Sequence, residues 1–129
     1  MAKILVVDDD PSVRSLVSDS LEIEGYEVVV AEDGFAGLRA IEAHHPDCVL
    51  LDVMMPGLDG HQVLQRIRAG EDGHALPVVM LTAYSDDANA WQAWTEGVDY
   101  FLAKPFDADE LLRYLDYLFQ GSALAADAG

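Results

Sequence analysis

The sequence has a single cysteine and no long hydrophobic run. The first argues against a disulfide-stabilised protein, and the second argues against a protein that spans a membrane. Its one cysteine, Cys48, stands in an apolar run, which favours a buried reduced thiol over a disulfide or a metal ligand. No apolar run is long enough to cross a membrane, and the start of the chain leads directly into a predicted strand instead of a signal peptide. We therefore expect a cytoplasmic protein that makes no membrane contact.

Basic residues are also scarce. Lysine and arginine total 7 against 24 aspartate and glutamate residues, and the formal net charge is −17 with histidine neutral. Such a surface repels the phosphates of nucleic acids, so we expect no nucleic-acid contact within this chain. At 129 residues, of which 51% are hydrophobic, the chain has the size and composition of one globular domain.

Short apolar runs alternate with segments of helical spacing along the chain, and no internal repeat is visible. This alternation predicts a parallel sheet covered by helices on both faces. We expect a doubly wound α/β fold of the flavodoxin-like type, a five-stranded sheet with strand order 2-1-3-4-5. Positions 1–120 should form this domain, and the small, nearly featureless segment 121–129 should be a flexible tail or linker.

Capping residues and helix breakers give the predicted helix borders. Asp10 and Pro11 should open the first helix, and Gly25 should end it. Asp107 is the predicted N-cap of the last helix, and another helix is predicted over positions 86–96.

Polar side chains stand directly after several of the strand-like runs. Asp8 and Asp9 follow the first run, Asp52 ends the third, Thr82 ends the fourth and Lys104 follows the fifth. Ligand sites in open parallel sheets lie beyond the carboxyl ends of the strands, so we expect these groups to converge at one edge. Three close carboxylates repel one another unless a cation is present, which favours a hard divalent ion such as magnesium.

This combination of groups suits phosphoryl transfer. A carboxylate can act as the nucleophile and form an aspartyl-phosphate, while a metal ion, an ammonium and a hydroxyl stabilise charge on the phosphoryl oxygens. By position, Lys104 supplies the ammonium and Thr82 the hydroxyl. The alternative is that each aspartate only caps the following helix and that Lys104 is a surface charge. That alternative explains one such residue easily, but not a whole set at the ends of four strands.

Four segments of the sequence resemble motifs of chemotaxis-regulator-like receiver domains of two-component response regulators. They are Val6-Val7-Asp8-Asp9, the run from Leu51 to Gly60, Leu81-Thr82-Ala83 and Lys104-Pro105-Phe106. The resemblance covers the chain from Lys3 to Phe119. It implies a switch controlled by phosphorylation and not an enzyme: a sensor histidine kinase or a histidine phosphotransfer protein donates to an aspartate, and the domain later hydrolyses its own acyl phosphate.

The resemblance also assigns roles to individual residues. It implies that Asp52 is the phosphoacceptor and that Thr82 and Lys104 contact the phosphoryl group. Asp9, Asp52 and the backbone carbonyl of Met54 would bind Mg²⁺, with Asp8 acting through water.

The resemblance further implies an output surface on the fourth helix, fifth strand and fifth helix. Phe101 takes the place of the aromatic switch residue on the fifth strand, and Tyr100 should face the opposite side of the sheet. Asp99 is followed by Tyr100, which puts the ionic dimer of winged-helix regulators in doubt. We instead expect a homodimer or an output partner, formed on phosphorylation, to be contacted through an aromatic and apolar patch of Trp94, Phe101, Leu112 and Tyr114.

Two alternatives to a phosphorylated receiver stay open. One is a phosphatase of the haloacid-dehalogenase type that forms an aspartyl-phosphate, although Asp52-Val53-Met54 lacks the second acid of its motif. The other is a pseudo-receiver that only binds partners, against which the full set of acidic residues argues.

Overall fold

The computed structural model describes residues 2–70, 75–82, 97–103 and 107–128. Its strands are β1 (Lys3–Val7), β2 (Glu27–Ala31), β3 (Cys48–Asp52), β4 (Val78–Thr82) and β5 (Tyr100–Ala103). They form one five-stranded sheet in the order β2-β1-β3-β4-β5, and every neighbouring pair is parallel. The predicted doubly wound fold and strand order are confirmed.

The described helices are α1 (Pro11–Ile23), α2 (Gly34–His44), α3 (Gly60–Ala69) and the C-terminal helix (Ala108–Ala128). The helix predicted over positions 86–96 lies outside the described residues. Aspartates begin α1, α2 and α3, because each carboxylate accepts a main-chain N–H of the first turn. These capping residues are Asp10, Asp33 and Asp59. These caps fix the residues at which the three helices begin.

The remaining predicted borders are also observed. Asp107 accepts the N–H of Asp109 at 3.0 Å at the start of the C-terminal helix. Gly25 follows the end of α1 with a φ of 93°, a left-handed conformation in which glycine is favoured.

The sheet separates two apolar layers, one on each face. The side chains of β1 alternate between them, since Leu5 and Val7 belong to the layer beneath α2 and α3, whereas Ile4 and Val6 belong to the layer beneath α1 and the C-terminal helix. Every residue of β3 is buried, as expected for a central parallel strand that is covered on both faces. Cys48 is among them, so its predicted burial is observed, and burial raises the pKa of its thiol to about 12.

Arg68 ties the end of α3 to the start of β4 and β5. Its guanidinium donates to the carbonyl of Leu76 at 2.6 Å, to the carbonyl of Gly97 at 2.7 Å and to the carboxylate of Asp99 at 2.9 Å. The same Asp99 oxygen accepts the N–H of Val78 at 2.8 Å. The Arg68 side chain is only 9% exposed, whereas that of Asp99 is 43% exposed, so the guanidinium is shielded from water while its carboxylate partner is partly solvated.

We expect Arg68→Ala to lower the free energy of unfolding by about 2 kcal/mol or more, because it removes several charge-assisted bonds at once. Urea denaturation would measure the change. Arg66→Ala is the matched control, since Arg66 is an exposed residue of the same helix and should change stability by less than about 0.5 kcal/mol. Equal unfolding midpoints for the two variants would contradict the role given to Arg68.

The C-terminal helix is 21 residues long and reaches Ala128, beyond position 121 at which the sequence predicts a tail. The end of such a helix can extend beyond the domain or pack against it. The division into a domain over 1–120 and a tail or linker over 121–129 therefore stays a prediction. Within the described residues, no helix combines the length and the apolar character needed to cross a membrane.

Candidate functional site

Three carboxylates meet at the carboxyl edge of the sheet. β1 and β3 are neighbours with Val7 opposite Leu51, so the residues that come next along the two strands are brought side by side. One carboxylate oxygen each from Asp8, Asp9 and Asp52 lies within 4.8 Å of the other two. The structure thus brings together the three acidic residues that the sequence singled out.

The three carboxylates differ in burial. Asp8 is fully buried and Asp52 is 3% exposed, whereas Asp9 is exposed. Main-chain donors contact both buried groups: Asp8 Oδ1 accepts the N–H of Asp10 at 2.9 Å, and Asp52 Oδ1 accepts the N–H of Met54 at 3.3 Å. The cluster is therefore buried at Asp8 and Asp52 and open to solvent at Asp9.

The turn between β3 and α3 packs closely against the backbone of Asp52. The N–H of Gly60 donates to the carbonyl of Val53 at 3.0 Å, and the N–H of Val53 donates to the carbonyl of Leu81 at 2.9 Å. A Cβ atom on Gly60 would overlap the carbonyl oxygen of Asp52 and lie 2.8 Å from Cα of Val53. Only glycine allows α3 to start this close to the acidic strand end. A capping box between Asp59 and Gln62 then fixes the first turn of α3.

The chemistry of the donor set fits a magnesium ion. Mg²⁺ prefers oxygen ligands, and a site with two buried carboxylates and an exposed one leaves a side open for water or a substrate oxygen. A cation also relieves the repulsion among three close negative charges, which burial would otherwise strengthen. The cluster of Asp8, Asp9 and Asp52 is therefore compatible with Mg²⁺ binding.

The remaining predicted site residues are described less completely. β4 lies beside β3 with Leu81 opposite Asp52, so Thr82, which follows Leu81 and ends β4, reaches the same edge of the sheet. The structure describes the backbone of Thr82, and Lys104 lies outside the described residues. Met54 stands two residues after Asp52, and its side chain is 57% exposed. The contacts assigned to Thr82, Lys104 and the Met54 carbonyl stay predictions.

Tyr100 and Phe101 face opposite sides of β5, as predicted. Phe101 packs against the layer beneath α2 and α3, while Tyr100 packs against the layer beneath α1 and the C-terminal helix. Tyr100 stacks on Tyr114, with ring centroids 4.2 Å apart and planes at 9°. Burial first, and then the charge of Asp99, raise the pKa of the Tyr114 hydroxyl to about 12.

The expected partner patch is divided between the two layers. Leu112 and Tyr114 pack against the same layer as Tyr100, whereas Phe101 belongs to the other. Trp94 lies outside the described residues.

One residue near the site was missed in the sequence. Arg14 Nη1 donates to the main-chain carbonyl of Asp8 at 2.6 Å. One feature of the sequence could have indicated this contact. Arg14 is one of few basic residues in the chain, and it lies near the start of the helix that follows the acidic pair.

A doubly wound sheet with an acidic cluster at the ends of its first and third strands is the architecture of a receiver domain. Residues 4–116 match the family described as response regulator receiver domain. The chain belongs to this family, in which phosphorylation on an aspartate is typical.

Individual relatives agree with this assignment. The chain is 43% identical over 112 residues to the DNA-binding dual master transcriptional regulator RpaA of Synechocystis sp., a match that covers 87% of this chain and 46% of RpaA. It is 40% identical over 125 residues to the response regulator MprA of Mycobacterium ulcerans, covering 97% of this chain and 53% of MprA. The chain thus spans about half the length of the curated relatives that it matches.

A solved structure shows the same fold along the whole domain. The chemotaxis protein CheY4 of Vibrio cholerae superposes with a TM-score of 0.86 at 33% sequence identity. The match covers 91% of this chain and 98% of the CheY4 chain.

Proposed function

We propose that a sensor histidine kinase or a histidine phosphotransfer protein phosphorylates this domain on Asp52 in a Mg²⁺-dependent reaction. The observation that carries the proposal is the position of Asp52, which is buried at the end of the central strand within 4.8 Å of Asp8 and Asp9. β1 with its acidic pair lies on one side of Asp52, and β4 with Thr82 lies on the other. This position between the acidic pair and the end of β4 supports Asp52 as the phosphoacceptor.

Each residue of the site has a separate role in the proposed phosphoryl transfer. A carboxylate oxygen of Asp52 attacks phosphorus, the bond from phosphorus to the donor's nitrogen or oxygen breaks, and an acyl phosphate forms on Asp52. Asp8 and Asp9, with the Met54 carbonyl, would hold Mg²⁺ together with Asp52. When bound, the ion neutralises negative charge on the phosphoryl oxygens and so allows an anion to approach a carboxylate. Thr82 and Lys104 would contact the same oxygens.

The domain acts as a switch because its nucleophile stays modified until water hydrolyses the acyl phosphate. The dehalogenase-type alternative needs a second acid two residues after the nucleophile, and that position is occupied by Met54. The complete acidic cluster argues against a pseudo-receiver. We further propose a cytoplasmic location, as the family implies, and output carried by contacts other than nucleic-acid binding within this chain, whose net charge is −17.

The phosphorylated state should be long-lived. Met54 and Tyr84 stand two residues beyond Asp52 and Thr82, and neither side chain positions an attacking water well. We expect Met54→Asn and Tyr84→Glu to shorten the lifetime several-fold, and Met54→Leu, which keeps an apolar side chain, to leave it unchanged. Loss of the phosphoryl mass with time, after removal of the donor, gives the lifetimes. Identical decay in the parent, Met54→Asn and Tyr84→Glu would show that these positions do not govern access of water.

We propose that phosphorylation is detected through the aromatic surface of the C-terminal helix and its neighbours instead of through ion pairs. The carboxylate of Asp99 is already used within the domain, by Arg68 and by the N–H of Val78. The adjacent Tyr100 stacks on Tyr114. A contact made by such groups should tolerate salt, because added salt screens the repulsion between two strongly acidic proteins.

Trp94→Ala should weaken the phosphorylation-dependent association without changing phosphorylation itself. Light scattering at two salt concentrations would measure the association, which should strengthen as salt is added. Ile23→Ala is a matched control, since Ile23 is an apolar residue of α1 with 82% of its surface exposed. If Trp94→Ala associates like the parent in both phosphorylation states, Trp94 is a packing residue and the proposed surface is wrong.

A further inference from the structure

The link between β1 and α1 is a closed ring of hydrogen bonds. The N–H of Asp8 donates to the carbonyl of Ala31 at 3.2 Å, and the Asp8 carboxylate accepts the N–H of Asp10 at 2.9 Å. The Asp10 carboxylate caps α1 by accepting the N–H of Ser12 at 2.8 Å, while its carbonyl accepts the N–H of Arg14 at 3.1 Å. Arg14 Nη1 then returns to the carbonyl of Asp8 at 2.6 Å and closes the ring.

The carbonyl that Arg14 contacts belongs to the peptide group between Asp8 and Asp9. A peptide group is planar, so a strong bond to its oxygen fixes the rotation of the whole plane and the direction in which the next Cα leaves it. Asp8 is also held by packing, since it is fully buried. Asp9 is exposed and lacks this packing, so the peptide plane before it sets the position of its Cα and Cβ and thereby the region that its carboxylate can reach.

Arg14 makes this contact with a charged side chain. The side chain is half-buried, and its guanidinium reaches the main chain of the acidic pair at the Asp8 carbonyl, in a chain with 7 basic and 24 acidic residues. Because the acceptor is a main-chain oxygen, this bond orients the backbone without occupying a carboxylate oxygen. The bond is charge-assisted, and such bonds are roughly twice as strong as neutral ones.

We propose that Arg14 is a positioning residue for the acidic cluster: through the Asp8 carbonyl it holds the carboxylates of Asp8 and Asp9 at ion-binding distance from Asp52. This inference rests on the proposed function, because it takes the cluster to be a Mg²⁺ site. Groups that orient metal ligands typically change metal affinity by about 10-fold or more when they are removed.

The test is Mg²⁺ binding to the unphosphorylated full chain, measured by isothermal titration calorimetry at constant ionic strength. Arg14→Met keeps the length of the side chain and removes its donor and charge, and we expect the dissociation constant to rise about 10-fold. Arg14→Lys keeps a cationic donor and should recover most of the affinity. Arg39→Met, which makes the same charge change at an exposed position of α2, should bind Mg²⁺ like the parent.

The outcomes separate positioning from a purely structural role. If Arg14 only attaches α1 to β1, Arg14→Met will melt at a lower temperature but bind Mg²⁺ with the parent's affinity, and that result overturns the proposal. Equal losses in Arg14→Lys and Arg14→Met also overturn it, as does an equal loss in Arg39→Met. If Arg14→Met does not fold, Arg14→Gln takes its place with the same expected direction. Failure of the parent to bind Mg²⁺ would instead refute the proposed function, so the two failures are distinguishable.

Discussion

Asp52→Asn should abolish phosphorylation and leave the fold intact. Asparagine has nearly the shape of aspartate and keeps an Oδ1 that can accept the N–H of Met54, but its amide is not a nucleophile. The measurement is intact mass after incubation with acetyl phosphate and Mg²⁺. The parent should gain the mass of one phosphoryl group, and neither Asp52→Asn nor the parent with EDTA in place of Mg²⁺ should gain it.

Two further variants make this test specific. Asp59→Asn is the matched control, because Asp59 lies in the turn after β3, where it caps α3, and asparagine caps a helix equally well. It should be phosphorylated like the parent. Asp9→Ala should weaken Mg²⁺ binding and slow phosphorylation together, since it removes one of the clustered carboxylates. Persistent labelling of Asp52→Asn would show that another residue is the phosphoacceptor.

The sequence predicted the fold and the acidic cluster because strand-like runs are visible as local patterns and the expected strand order determines which of their ends are neighbours. A central parallel strand is buried on both faces, so β3 is a continuous apolar run that ends at Asp52. Strand order then determines which strand ends are neighbours, and this brings Asp8 and Asp9 to Asp52 without any knowledge of side-chain conformation.

Long-range and side-chain contacts were not predictable in the same way. Arg68 reaches the carbonyl of Gly97, which is 29 residues away in the chain, and Arg14 reaches that of Asp8 through one side-chain conformation among several. Leu16 of α1 is apolar but 62% exposed, because helical spacing of apolar residues does not show how wide the buried face of a helix is. The stack of Tyr100 on Tyr114 likewise depends on how closely the C-terminal helix approaches β5.

Gly60 is the position at which a single added carbon should do the most damage to both fold and site. The Cβ atom of an alanine there would overlap the carbonyl oxygen of Asp52 and lie 2.8 Å from Cα of Val53. Both neighbours are backbone atoms of the β3 end and its turn, and they cannot rotate away as the end of a flexible side chain can. The turn is also held by the bond from the Gly60 N–H to the Val53 carbonyl.

We therefore expect Gly60→Ala to lower the free energy of unfolding by about 3 kcal/mol, at the upper end of the usual cost of overpacking. The folded fraction should also be phosphorylated more slowly, because relieving the overlap moves the main chain of Asp52. Urea denaturation followed by circular dichroism gives the stability, and acetyl phosphate labelling under native conditions gives the rate.

The matched control is Gly70→Ala. At Gly70 the added Cβ would lie 3.4 Å from the Ile67 carbonyl oxygen, an ordinary contact, and φ is −72°, which alanine adopts freely. That variant should be as stable as the parent or slightly more so, because alanine restricts the unfolded chain. Equal stability and equal labelling rates for the two variants would show that the turn after β3 accommodates the added Cβ atom without loss of stability. They would also show that this turn does not hold Asp52 in place.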